Sequence, residues 1–401
     1  MRRVYLDNNA TSPLLPEVFE AMRPYFVEKF GNASSIHQQG QQARAAVERA
    51  REQVADLVNC RPAEIVFTSG GTESDNLALF GLVQPGDHVI ASSVEHHAVL
   101  NTCKRLEAIG CNISVLPVDA RGLVDPEGVR RAIRTNTKLI SIIFANNETG
   151  VLQDVNAIGL IAAEADVYFH TDAVQAAGKV PIDVTRIGCD LLTVTAHKMH
   201  GPIGAGALYV RKGTLLQPLF FGGRHERSRR AGTENLPGIV GLGKAAEIAR
   251  SGFTDGSVPT IAALRDRLEE TIVESLDQVG VNGAGAPRVP NTTNIVFECL
   301  EGEAMVIALD LKGISVSTGA ACSSGAIEPS HVLTAMGLSP DRARASIRFS
   351  LGKQNTAEDI DFALQLVPEV VSRLRELSPT YKNVATARDS ATKGIARMLQ
   401  N

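Results

Sequence analysis

The chain has 401 residues, of which 44% are hydrophobic and 21% charged, and its formal net charge is −4. That length allows two packed domains around sizeable cores. The slight acidity argues against direct nucleic-acid binding, and no apolar run approaches the roughly 20 residues of a membrane-spanning helix. Two arginines follow Met1 without an apolar stretch of signal-peptide length behind them, so a cytoplasmic location is expected.

From about Glu17 to Arg250, helical and strand-like patterns alternate. Residues 41–58 carry apolar side chains at Ala43, Ala46, Val47, Ala50, Val54 and Leu57, a helical period. Seven short apolar runs follow, at 65–67, 88–90, 113–116, 138–144, 167–169, 191–194 and 206–210, and read as buried strands. With helices between most of them, they predict an α/β unit with a mainly parallel seven-stranded sheet covered on both faces. Ligands then belong at the C-terminal ends of the strands. Residues 251–259 read as a linker before a long helix at 261–279. Strand-like runs at 293–297, 314–317 and 346–350 then mix with helices around 304–311 and 356–377, which reads as a smaller α+β unit. The polar, weakly patterned residues 379–401 read as a tail.

Several strand ends carry side chains suited to chemistry. After the first strand, Ser69-Gly70-Gly71-Thr72 opens a helix whose amides, with the Thr72 hydroxyl, can hold a phosphate; an ordinary helix cap is the alternative. His96 can stack on an aromatic cofactor and move protons near neutral pH, or be a structural histidine. Its neighbour His97 reads as a surface residue, and no third ligand suggests a metal between them. Asn147 can bond a ring hydroxyl or a carboxylate, or simply make a turn. Asp172 and Gln175 follow another strand, where Asp172 suits either a pyridine nitrogen or a helix cap. Lys198 follows the strand at 191–194 and precedes a glycine-rich turn. A lysine at one strand end and an acid at another can grip the aldehyde and ring nitrogen of pyridoxal phosphate.

Arg348 lies within an apolar strand and needs a partner, either a substrate carboxylate or a buried ion pair. The basic run from Arg224 to Thr233 is a solvated loop or an anion site across a subunit boundary. Six cysteines lack metal-ligand or disulfide spacing and read as reduced thiols. Cys60, Cys103, Cys111, Cys189 and Cys299 read as core filler. Cys322, among small residues in Ser317-Thr-Gly-Ala-Ala-Cys-Ser-Ser-Gly, reads as an exposed nucleophile.

These pieces occur in order along almost the whole chain. Tyr5-Leu-Asp-Asn-Asn-Ala-Thr, Gly31-Asn-Ala-Ser-Ser-Ile-His, Thr68-Ser-Gly-Gly-Thr-Glu-Ser-Asp-Asn and Glu95-His open the set. Asn146-Asn-Glu-Thr-Gly, His170-Thr-Asp-Ala-Val-Gln, His197-Lys198 and Arg230-Ala-Gly-Thr-Glu-Asn continue it. Cys322-Ser-Ser-Gly, Glu328-Pro-Ser-His and Ser346-Ile-Arg-Phe-Ser complete it. Together they resemble the cysteine desulfurases of the class V aminotransferase group, of NifS and IscS type.

The resemblance implies a homodimer of aspartate-aminotransferase-like fold. A large cofactor domain would span 16–250, and a smaller one would combine 1–15 with 251–378. Lys198 would hold pyridoxal 5'-phosphate, Asp172 its ring nitrogen, Gln175 and Asn147 its ring hydroxyl, and His96 would stack on the ring. Gly71, Thr72, Thr195 and His197 would hold the phosphate, with Thr233 from the other subunit, and Arg348 with Asn147 would clamp the substrate carboxylate. The implied reaction turns L-cysteine into L-alanine and leaves the sulfur as a persulfide on Cys322. Lys198 would move the Cα proton, and His96 would serve the substrate thiol as acid or base. The sulfur acceptor would be an iron–sulfur scaffold protein of NifU or IscU type, with which Cys322 would transiently share a cluster. A selenocysteine lyase, a desulfurase serving tRNA thiolation and a non-catalytic cofactor-binding partner are the alternatives. Thr195 replaces the serine of many relatives but keeps the hydroxyl, whereas Arg224-His-Glu-Arg replaces a glycine-rich loop.

Overall fold

The computed structural model describes residues 2–319 and 328–378, with Tyr381. Strand β1 (Val4–Tyr5) is followed by β2 (Ile65–Thr68), β3 (His88–Ser92), β4 (Asn112–Leu116), β5 (Thr137–Ser141), β6 (Tyr168–Asp172), β7 (Leu191–Thr195) and β8 (Gly206–Val210). Strands β2 to β8 form one sheet in the order β2-β8-β7-β6-β5-β3-β4. All its pairings are parallel except those of β8, which runs antiparallel to both β2 and β7.

Burial on both faces explains why these strands are apolar runs without alternation. Ile65 and Phe67 point into a core under the helices Gln38–Val58 and Leu236–Ser251, while Val66 points to the opposite face. That second face is covered by the helices Gly71–Phe80 and His97–Ala108, and the strand period of two sorts Ile90 from Val89 and Ala91 in the same way.

A separate core surrounds β9 (Val279–Val281), β10 (Thr292–Phe297), β11 (Ile314–Ser315) and β12 (Ser346–Ser350), where β12-β10-β9 is an antiparallel sheet. Leu268, Ile272, Ile295, Phe297, Leu309, Phe349 and Val367 pack there. The N-terminal segment joins it: β1 pairs in parallel with β11, and Val4 and Leu6 are buried in the same cluster. On these separate cores we propose the division into 16–250 and 1–15 with 251–378.

Two expectations change. The helix placed at 261–279 spans Ser257–Ser275. Pro259 lies in its first turn, where a missing N–H costs nothing, and Val279 is instead paired with Phe297 in β9. The linker placed at 251–259 shrinks accordingly, because Ser251 ends the helix Leu236–Ser251. Of the cysteines, Cys103, Cys111 and Cys189 are buried, whereas Cys60 and Cys299 are only half-buried; Cys322 and residues 379–380 and 382–401 lie outside the described residues.

The basic loop after Arg224 is more anchored than a solvated loop. Glu226, Arg227 and Ser228 all adopt left-handed backbone, with φ of 44°, 56° and 65°. The buried Glu226 carboxylate takes a bidentate pair from Arg51 at 2.7 and 2.8 Å and a bond from Phe67 N at 3.0 Å. Removing one member of a buried pair leaves the other charge uncompensated. Glu226→Ala is therefore expected to cost about 3–5 kcal/mol, read by urea unfolding. A loss under ~1 kcal/mol would show the pair to be dispensable.

Candidate active site

The C-terminal ends of β3, β5, β6 and β7 open onto a cavity of about 420 Å³, closed from the other side by the N-terminal segment and β12. A volume of this size suits a small cofactor with a substrate. Asn9, Ala10, Gly71, Thr72, Asp75, His96, Asn147, Asp172, Gln175, Thr195, His197, Lys198 and Arg348 line it. Strand geometry places them: each strand end delivers one short turn, and the turn delivers the side chain.

Lys198 sits in the single 3-10 turn Ala196–Lys198 directly after β7. Its amine donates to the backbone carbonyls of Asn9, at 2.6 Å, and Ala10. Burial, with Arg348 nearby, lowers its pKa to about 8, against opposing pulls from Asp7 and Asp172. A neutral amine is thus accessible near physiological pH, which a nucleophilic or proton-transferring lysine requires.

Asp172 ends β6 and is buried; one carboxylate oxygen accepts from Val174 N at 2.9 Å. That contact is the bond a capping aspartate makes, here onto the single turn closed by Ala177 N–H on the Ala173 carbonyl. Burial raises its pKa to about 6. Asp75, from the helix Gly71–Phe80, is buried beside it with one oxygen unbonded, and burial together with Asp172 pushes it well up too. The adjacent His170 gives little relief, because burial lowers its pKa to about 3 and its ring is neutral. Two buried acids thus lack a matching cation, and a protonated pyridine nitrogen is the kind of group that restores balance.

The opposite wall suits a phosphate. The helix Gly71–Phe80 has Gly70 at its cap with no side-chain cap bond, so its first amides remain for an anion. Gly70 has φ of 156°, and a Cβ on Gly206 would come within 2.6 Å of Gly70 Cα. Only glycine at 206 lets β8 pass this close. Thr72, buried Thr195 and His197 line the same region, and His197 Nδ1 meets Thr11 Oγ1 at 3.2 Å.

His96 stands at the exposed side of the cavity. Its Nδ1 accepts from Ala98 N at 3.1 Å, which leaves the proton of the neutral ring on Nε2. The residue is exposed, but protein around its ring and the nearby Lys198 move its pKa down to about 4, and with or without that shift the neutral ring predominates at pH 7. Arg348 in β12 is buried and has an ion-pair partner. Its guanidinium pairs with Asp7 at 2.7 Å and with the Asn147 carbonyl at 2.9 Å, yet Nε stays buried and unbonded.

The geometry thus brings together every expected site residue but two. Thr233 is exposed and does not line the cavity, and Cys322 lies outside the described residues. Sequence reasoning assigned no role to Asn9, Asp7, Asp75 or Lys179, although Asp7, Asn9 and Asp75 lie inside motifs it quoted. Among the described residues no cluster of His, Cys, Asp and Glu is arranged for a metal ion. The two buried acids at one end, the uncapped helix start and the low-pKa lysine fit pyridoxal phosphate.

Residues 4–362 match the family Aminotransferase class-V. A protein named Cysteine desulfurase IscS from Methanosarcina thermophila is 50% identical over 382 residues, 94% of each chain. A solved NifS-like protein superposes with a TM-score of 0.86 at 36% identity, over 93% of this chain and 100% of its own. A structure titled SspA in complex with cysteine gives a TM-score of 0.77 at 38% identity, over 88% and 99%.

Burial of Asp172 sets a pH signature in the cofactor-free protein. Its folded pKa lies above the unfolded value of about 3.9, so ionisation costs the folded state as pH rises from about 4 to 6. Asp172→Asn is expected to be more stable than wild type at pH 7 by up to about 3 kcal/mol, with the difference gone below pH ~4. Urea unfolding at the two pH values measures this, and equal stabilities at pH 7 would refute it.

Proposed function

The chain belongs to the class-V aminotransferase family, and within it we infer a pyridoxal-phosphate-dependent cysteine desulfurase that delivers sulfur for iron–sulfur cluster assembly. The observation that carries this reading is Lys198, with its lowered pKa, facing Asp172 across one cavity whose third wall carries Arg348. Named desulfurases with nearly half their residues identical over almost the whole length support the choice of reaction. Bound pyridoxal phosphate supplies an electron sink that makes the substrate Cα proton acidic.

The chain's own residues do the rest. Asp172 would hold the ring nitrogen of the cofactor, Gln175 and Asn147 its ring hydroxyl, and His96 would stack on the ring. Gly71, Thr72, Thr195 and His197 would hold its phosphate. Arg348 takes the substrate carboxylate with Asn147, using donor capacity that Asp7 leaves free. Lys198 takes the Cα proton and returns it to carbon. His96, neutral with its proton on Nε2, exchanges a proton with the substrate thiol. The Cys322 thiolate attacks the substrate sulfur. An S–S bond forms as the Cβ–S bond breaks, and the electron pair stays with carbon, which is protonated to alanine.

Two further features support a homodimer. Phe26, Val27, Phe30, Ile36 and Phe221 are exposed, Ile36 at 91% and Phe221 at 89%, and are apolar side chains that a partner subunit would cover. Thr233 is exposed on the loop after Arg230, which suits a reach into the partner's phosphate site. The persulfide then passes to a scaffold protein, and any cluster ligation by Cys322 belongs to that step. Among the described residues no helix is long and apolar enough to cross a membrane, and a cytoplasmic location fits the reading.

Protein loaded with pyridoxal phosphate is expected to form alanine and sulfide in equal amounts from L-cysteine and a reductant. Lys198→Ala loses the yellow colour and lowers the rate by about 100-fold or more. Cys322→Ala abolishes sulfide release; release at the wild-type rate rejects the persulfide step. Faster turnover of selenocysteine than of cysteine would favour the lyase alternative.

A further inference from the structure

Lys179 is a buried-amine lysine that the chemistry above does not use. It lies four positions after Gln175 on the helical turn that follows β6, so the two side chains face each other. Its amine donates to Gln175 Oε1 and, at 3.0 Å, to Asn9 Oδ1. Burial, with Lys198 and Arg348 nearby, holds it well below the usual lysine range, and no acid offsets this. Both bonds end on amide oxygens, which can only accept, so the amine is the donor in each.

The amine donates to it, so the atom of Gln175 facing Lys179 is the oxygen. The amide nitrogen of Gln175 is thereby turned the other way. One of its hydrogens goes to the Asn9 carbonyl at 2.9 Å, and the second is left for the cavity that Gln175 lines. The Asn9 carbonyl biases the amide in the same sense, but it is shared with Lys198. We propose that Lys179 is a positioning residue that fixes the Gln175 amide so that it presents an N–H, never a carbonyl, to the ring oxygen of the bound cofactor. The proposal rests on the reading that Gln175 faces that oxygen.

An oxygen anion deprived of an N–H donor holds a proton more tightly. The test is the pH midpoint of the visible absorbance in the loaded protein. Gln175→Ala is expected to raise it by about one pH unit, the worth of one hydrogen bond to a charged group. Lys179→Met is expected to raise it comparably, and the double variant no further than Gln175→Ala alone. Lys179→Ala is measured in parallel, so that the comparison does not hang on one variant folding. If Gln175→Ala moves the midpoint and neither Lys179 variant does, or if the shifts add, Lys179 does not act through Gln175. If Gln175→Ala itself leaves the midpoint in place, Gln175 does not face the ring oxygen, and the inference falls with that reading.

Discussion

Asn9 is the point at which the two cores and both active-site lysines meet. Its backbone N–H goes to Ser350 Oγ and its side-chain amide to Thr292 Oγ1 and the Asn147 carbonyl, while its side-chain oxygen takes Lys179 and Asn291. Its carbonyl takes Gln175 and Lys198. Ser350, Thr292 and Asn291 belong to the smaller core's sheet and its approach, whereas the others come from the strand ends of the large sheet. A buried asparagine with every polar atom bonded is rigid, because moving it would strand several partners at once. The position of Lys198 is thus tied to the N-terminal segment, some 190 residues away in the chain.

The electrostatics of the site follow from what that rigidity encloses. Lys198, Lys179 and Arg348 share a small volume with Asp7, Asp75 and Asp172. Only the Arg348–Asp7 pair is a close contact. For Asp172 burial outweighs attraction to Lys198, and for Lys198 burial outweighs attraction to both acids. Desolvation therefore outweighs Coulomb attraction at both ends of the cavity and favours the neutral forms, and a ligand with a cationic ring nitrogen would draw the carboxylate back to its ionised form.

How much of this could be read from the sequence depended on how far apart the partners lie. The seven sheet strands were legible because burial on two faces makes each an unbroken apolar run, and Asp172 and Lys198 because each ends such a run. β1 and β9 were not, at two and three residues, since neither is long enough to show a pattern. Pro259 moved a helix boundary because a proline reads as a break, although the first helical turn tolerates it. Asn9 and Lys179 carried no local signal: their bonds span 170 residues, and only the fold makes them neighbours.

The same fold ties the substrate side of the cavity to the segment that carries Cys322. Arg348 exchanges backbone bonds with Ser317, its N–H donating at 2.7 Å and its carbonyl accepting at 3.3 Å. Glu148, next to Asn147, is buried and accepts from Ser330 Oγ, while a Cβ on Gly319 would meet its carboxylate at 3.1 Å. Gly319 and Ser330 flank residues 320–327, so one buried side chain touches both flanks. Burial raises the pKa of Glu148, while the Ser330 bond and the nearby Arg348 pull it back down. Arg348 and the residues on either side of 320–327 are therefore tied to adjacent residues, Asn147 and Glu148. That adjacency is a physical reason for the Asn-Asn-Glu-Thr-Gly run to be a unit: Asn147 lines the cavity, and Glu148 bonds Ser330 and lies against Gly319.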